Sequence, residues 1–158
     1  MKEFLAEEKR FVLFTYRDLI SLTEQDTTYK KQGKWSKKEL IGHLIDSASN
    51  NHQRFIRAQF TDELVFPGYD QNEWVRIQDY QSESWHSLIN LWKEFNLHLI
   101  HAIDKIPKKV LTMKRINHNL DRIAMNPVPV DQPATLEYFI KDYFTHLRHH
   151  INQVLADK

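Results

Sequence analysis

The chain has 158 residues, of which 41% are hydrophobic, 27% charged and 12% aromatic, the composition of one ordinary globular domain spanning residues 1–158. Lys and Arg total 22 against 21 Asp and Glu, a formal net charge of +1, and no basic stripe runs along the sequence to neutralise phosphates, which argues against a nucleic-acid binder. The absence of cysteine excludes disulfides, thiolate metal sites and a cysteine nucleophile, and it fits a reducing compartment, with the cytoplasm as the default expectation.

The opening MKEFLAEEKRFVLF mixes acids into its apolar residues, and no run approaches 18 apolar residues, so neither secretion nor a membrane span is expected. With only 3 Gly and 5 Pro, long elements with few turns are expected. A first helix over about residues 3–24 carries Phe4, Leu5, Phe11, Val12, Leu19 and Leu22 at helical spacing. A second opens at Ser36, with Glu39 closing a capping box and Trp35 and Leu40 placed as a hydrophobic staple, and it runs to about Phe60.

Residues 61–82 read as a long connection. A third helix follows over about 83–106, capped by Ser82 or Ser84 and stopped by Pro107. A second connection spans 107–132, and a last helix runs from near Pro133 to about 156 with Leu136, Ile140, Tyr143, Leu147, Ile151 and Val154 inward. Four such stripes predict an all-α four-helix bundle with long crossover connections, and connections of that length commonly wall a functional pocket.

Nine histidines occur. His146 and His150 lie one helical turn apart on one face of the last helix, a spacing that lets two imidazoles chelate a divalent cation; His149 sits to the side. On the second helix, His43 heads a polar row with Ser47, Asn50 and Arg54 beside the apolar stripe. If the second and last helices are neighbours, three imidazoles converge and leave an open position, as in catalytic metal sites; otherwise His43 is a helix-border residue bonded to a neighbour. His146-Leu147-Arg148-His149-His150 has no Glu after its first His, so it is not a zincin motif. Asp46 and Asp142 are placed to accept a ligand's second ring N–H, or are surface carboxylates. His98, beside Phe95, can reach the same interior but reads as packed or solvated, and His52, His86 and His118 show no pattern.

Through Trp35-Ser36-x-x-Glu39 leading into His43-Leu44-x-Asp46, and the closing Asp142-Tyr143-x-x-His146-x-x-x-His150, the chain resembles the DinB-like family of four-helix metal-binding proteins. That superfamily also holds YfiT-type proteins, bacillithiol S-transferases and mycothiol-dependent maleylpyruvate isomerases. The resemblance spans nearly the whole chain and implies a three-histidine site at His43, His146 and His150 holding one divalent ion, zinc, nickel or iron, in a homodimer.

The expected function is metal-dependent transfer of a small bacillithiol- or glutathione-like thiol to a small electrophile, the ion activating the thiol that this cysteine-free chain lacks. Asn50 and Arg54 are the candidates for binding the thiol's carboxylate or sugar, with Tyr69, Trp74 and Arg76 as lid residues. The alternatives are a metal-dependent hydrolase, with Asp46 as its base, and a non-catalytic metal-binding stress protein.

Overall fold

The computed structural model describes residues 1–156. It is helical, with α1 (Lys2–Ile20), α3 (Lys37–Arg57), α5 (Trp85–Asp104) and α8 (Leu136–Ala156) as long elements. Shorter helices α2 (Glu24–Thr28), α4 (Gln71–Gln78), α6 (Lys108–Thr112) and α7 (Leu120–Ile123) occupy the connections. None of the described helices is long and apolar enough to cross a membrane.

The apolar stripes decide how the long helices meet. α1 packs on α5, α5 on α3, α3 on α8, and α8 returns to α1, so the four form a closed ring. The chain therefore crosses the bundle in passing from α1 to α3 and again from α5 to α8, which is the crossover architecture the long connections predict. Trp92, Phe55, Phe139 and Phe144 are fully buried at its centre, with Phe55 meeting Phe139 edge-on at 5.6 Å. Across the diagonal, the Tyr143 hydroxyl of α8 donates to Asn96 Oδ1 of α5 at 2.6 Å, so each buried polar group satisfies the other.

Local signals fix the ends. Ser36 caps α3 as predicted: its hydroxyl accepts from the Glu39 N–H at 3.2 Å, and Glu39 Oε2 accepts from the Ser36 N–H at 2.8 Å. The first helix stops at Ile20, not at 24, because Thr23 starts a new capping box with Asp26 and opens α2. The second long helix likewise ends at Arg57, leaving Phe60 85% exposed.

The connections carry more structure than their composition suggests. Asp70 caps α4 by accepting from the N–H groups of Asn72 and Glu73 at 3.0 and 3.1 Å. An isolated parallel bridge joins Leu64 to His118, and an antiparallel one joins Arg115 to Ala134. Beside the first, the Asn119 side chain takes both backbone groups of Phe66, at 3.1 and 2.8 Å. The buried His118 ring, 2.8 Å from the Gln132 carbonyl oxygen and accepting from the Leu120 N–H at 3.3 Å, belongs to this stitching.

A glycine sets how closely the turn after α4 approaches α3. A Cβ at Gly42 would lie 2.1 to 2.5 Å from three carbons of the Tyr80 ring, so only hydrogen fits. The Tyr80 hydroxyl then donates to Asp46 Oδ1 at 2.6 Å, one turn further along the helix. Gly42→Ala is expected to lose about 1–3 kcal/mol of stability in urea unfolding through overpacking, and to lose little in a Tyr80→Ala background.

Candidate metal centre

Helix α3 supplies a fully buried His43, and α8 supplies the half-buried His146 and His150 from successive turns. Because α3 and α8 are neighbours, one ring nitrogen from each of the three lies within 4.8 Å of the others. His43 Nε2 and His146 Nε2 are 3.2 Å apart. The ring centroids are separated by 5.1, 4.9 and 4.6 Å with interplanar angles of 79°, 82° and 78°. The rings therefore stand nearly perpendicular to one another.

Burial sets the charge state. It lowers His43 to about 4, with His150 adding to the effect, and it lowers His146 to about 3, with His150, His43 and His149 adding. Burial also lowers His150, against the hydrogen bond to Gln153. All three rings are thus neutral near pH 7, the form with a lone pair to donate.

Orientation comes from a residue not singled out in the sequence. Gln153 Oε1 lies 2.8 Å from His150 Nδ1 and, being an acceptor, places that ring's proton on Nδ1 and its lone pair on Nε2. The Gln153 amide nitrogen donates in turn to His149 Nε2 at 3.1 Å, which fixes the amide's direction. The signal was present, since Gln153 is three residues beyond His150 on one helix face. On the other side, the Trp35 ring lies 5.0 Å from that of His43.

The two carboxylates expected behind the ligands do something else. Asp46 Oδ1 accepts from Tyr80 and from Gln78 Nε2 at 2.6 and 2.7 Å, joining α3 to the end of α4, while Oδ2 is buried without a partner. His43 Nδ1 is also buried without a partner, and no hydrogen bond joins Asp46 to a histidine among the described residues. Asp142 accepts from the N–H groups of Met125 and Asn126 at 2.7 and 2.8 Å and from the Asn126 side chain at 2.9 Å. Helical spacing puts Asp142 on the His146 face, but the loop after α7 brings closer donors to it.

A cavity of about 360 Å³ opens onto the cluster, walled by Ser47, Asn51, Arg54, Tyr69, Tyr143, His146, His149 and His150 together with the loops around Gly68 and residues 122–125. A wider cavity of about 730 Å³, with Trp35, Leu40, Asn72 and Gln153 in its wall, reaches His150 from another side. Arg54 lies in the first cavity as part of the expected polar row. Asn50 does not, and Asn51, about 100° further round the helix, stands in the wall instead. Of the expected lid residues, Tyr69 lines the cavity and packs on Trp74 at 4.9 Å, whereas Arg76 pairs with Glu73 at 2.7 Å on the exposed side of α4. Burial pushes the Tyr69 hydroxyl up to about 12, so it stays a phenol. His98 pairs with His52, ring to ring at 5.2 Å, away from the cluster.

The sequence pattern of the DinB superfamily matches residues 15–154. A protein of Oceanobacillus iheyensis provisionally named a metal-dependent hydrolase is 35% identical over 80 residues, 51% of this chain and 41% of that protein. One of Halalkalibacterium halodurans with the same provisional name is 32% identical over 63 residues, 39% of this chain and 37% of that protein. The matches thus span about two fifths of the length of these curated relatives. YfiT of Bacillus subtilis, described as a probable metal-dependent hydrolase with an unusual four-helix bundle topology, superposes with a TM-score of 0.77. That superposition covers 98% of this chain and 84% of YfiT at 16% identity, a likeness of fold.

Removing the Asp142 carboxylate tests its part in the wall. Asp142→Ala is expected to cost about 1–3 kcal/mol and to speed hydrogen exchange at the Met125 and Asn126 amides, with bound metal unchanged. Loss of metal in that folded variant would instead make Asp142 a support for the cluster.

Proposed function

The chain belongs to the DinB superfamily, and on that premise we propose that it is a divalent-metal-dependent enzyme in which His43, His146 and His150 hold the ion. One coordination position would face the cavity. The observation that supports this reading is the meeting of three neutral imidazoles from neighbouring helices, two of which, His146 and His150, stand in the cavity wall. The donor set suits zinc, nickel or ferrous iron: three nitrogens, no thiolate, and an open side as in catalytic sites. When bound, such an ion supplies Lewis acidity and lowers the pKa of a thiol or a water in its open position.

The residues around the cavity favour transfer of a small thiol to an electrophile. Hydrolysis calls for a base beside the attacking water. The carboxylate in the wall, Asp142, has both oxygens engaged by loop N–H groups. Asp46 is turned toward Tyr80 and Gln78, outside the wall. A thiol held on the ion would release its proton to solvent before it meets the electrophile, so it needs no carboxylate in the wall. Tyr69, held as a phenol, offers a hydroxyl in the same wall for an electrophile's oxygen. Hydrolysis is the second reading, favoured by the provisional names of the two curated relatives.

Metal analysis by mass spectrometry on untagged protein purified without chelators is expected to find close to one divalent ion per chain, lost in folded His43→Ala and His146→Ala variants. Gln153→Ala is expected to keep the site but weaken it by about 10–100-fold in chelator competition, because it frees the His150 ring. For the reaction, thiol-dependent consumption of monobromobimane or a chloronitrobenzene supports transfer. Turnover of esters or amides without thiol supports hydrolysis.

A further inference from the structure

Arg54 lies in the wall of the 360 Å³ cavity, 7% exposed, and no carboxylate among the described residues pairs with it. From this we propose that the substrate is a small carboxylate, held by the Arg54 guanidinium while the rest of the molecule lies against the histidine cluster. The proposal rests on the reading above, that the cavity beside the histidines is the substrate site.

A guanidinium has five N–H donors in one plane. Arg54 commits Nη2 to the Pro67 carbonyl at 2.8 Å and Nη1, at 3.4 Å, to Asn51 Oδ1. Both partners are neutral, and Nε bonds nothing in the protein yet is not sealed from solvent. The side chain is thus anchored with its charge uncompensated and donors left over.

Three of the other buried charges meet an opposite charge. Glu8 meets Arg148 at 3.0 Å, Glu39 meets Lys30 at 2.6 Å, and Lys38 pairs with Glu24. Arg115, 2% exposed, is also without a carboxylate, but its donors reach the carbonyls of Val110, Met113 and Ala58, and it lines neither cavity. That is the pattern of a structural arginine. Arg54 differs in facing empty volume, where a buried cation favours an anion strongly.

A carboxylate matches the planar fork by two parallel hydrogen bonds. The one carboxylate already in the wall, Asp142, is engaged by loop N–H groups and leaves the Arg54 charge unmatched. The cavity lies at the small end of ligand-site volumes, which suits a small acid.

The test is calorimetric titration of zinc-loaded protein with 3-mercaptopropionate and with neutral 3-mercapto-1-propanol, using the unmodified chain, Arg54→Lys and Arg54→Gln, with zinc measured in every sample. The acid is expected to bind the unmodified chain at least tenfold more tightly than the alcohol. That ratio should fall to near one in Arg54→Gln and partway in Arg54→Lys, with zinc content and alcohol affinity unchanged. A ratio near one in the unmodified chain, or one that survives Arg54→Gln, overturns the proposal, as does inorganic phosphate displacing the acid at lower concentration than succinate.

If Arg54→Gln does not fold, Arg54→Lys decides alone, since an ammonium cannot form the two-point contact. If the protein takes up no zinc, the metal reading fails by itself. The carboxylate site is then read on the metal-free chain, where succinate should raise the thermal midpoint of the unmodified protein, raise it less in Arg54→Lys and leave Arg54→Gln unshifted; an equal shift in all three overturns it.

Discussion

Imidazoles packed this closely repel one another once they take protons, so a cluster such as His43, His146 and His150 can sit inside a bundle only if its environment keeps the rings neutral. The seam between α3 and α8 provides that environment. Burial there is what pulls the histidines below their usual range. The same seam explains why α3 is unusual. It is buried on nearly every side, yet Lys38, Glu39, His43, Asp46, Ser47, Asn51 and Arg54 are all buried along it. A helix of that kind is tolerated when its polar groups find partners. Most do, through Glu24, Lys30, Tyr80, Gln78 and Pro67.

Much of this was legible from residue spacing. The four stripes gave four long helices because an amphipathic face has one stable destination, the centre of a bundle. Ser36 and Glu39 marked the start of α3 because their bonds are local and need nothing from the rest of the chain. His43, His146 and His150 could be grouped on their faces, and it is the contact between α3 and α8 that brings them to one point.

What could not be read depends on contacts from far along the chain. Asp142 stands at the right spacing behind His146, but its oxygens are claimed by backbone N–H groups some 16 residues earlier, and no periodicity reports that. Asp46 is claimed from across the turn after α4 in the same way. Asn50 and Asn51 differ by one residue, about 100° of helix, and the cavity selects the second. The segments at 61–82 and 107–132 looked structureless because short helices and single bridges leave almost no pattern in sequence. Their order comes from side chains such as Asn119 and Arg115 that hold backbone groups of distant residues.

The cavity therefore has two kinds of wall. One is made of α3 and α8, whose residues answer to the packing of the whole bundle. The other is made of connections, at Gly68, Tyr69 and Ile123 to Met125, fastened by a few hydrogen bonds. Changes on the second side reshape the space without reaching the histidines, whereas a change on the first disturbs donor set and core together. The two walls are thus free to diverge at different speeds. Over evolutionary time a scaffold divided in this way can exchange the molecules it accepts while the chemistry at its centre stays fixed.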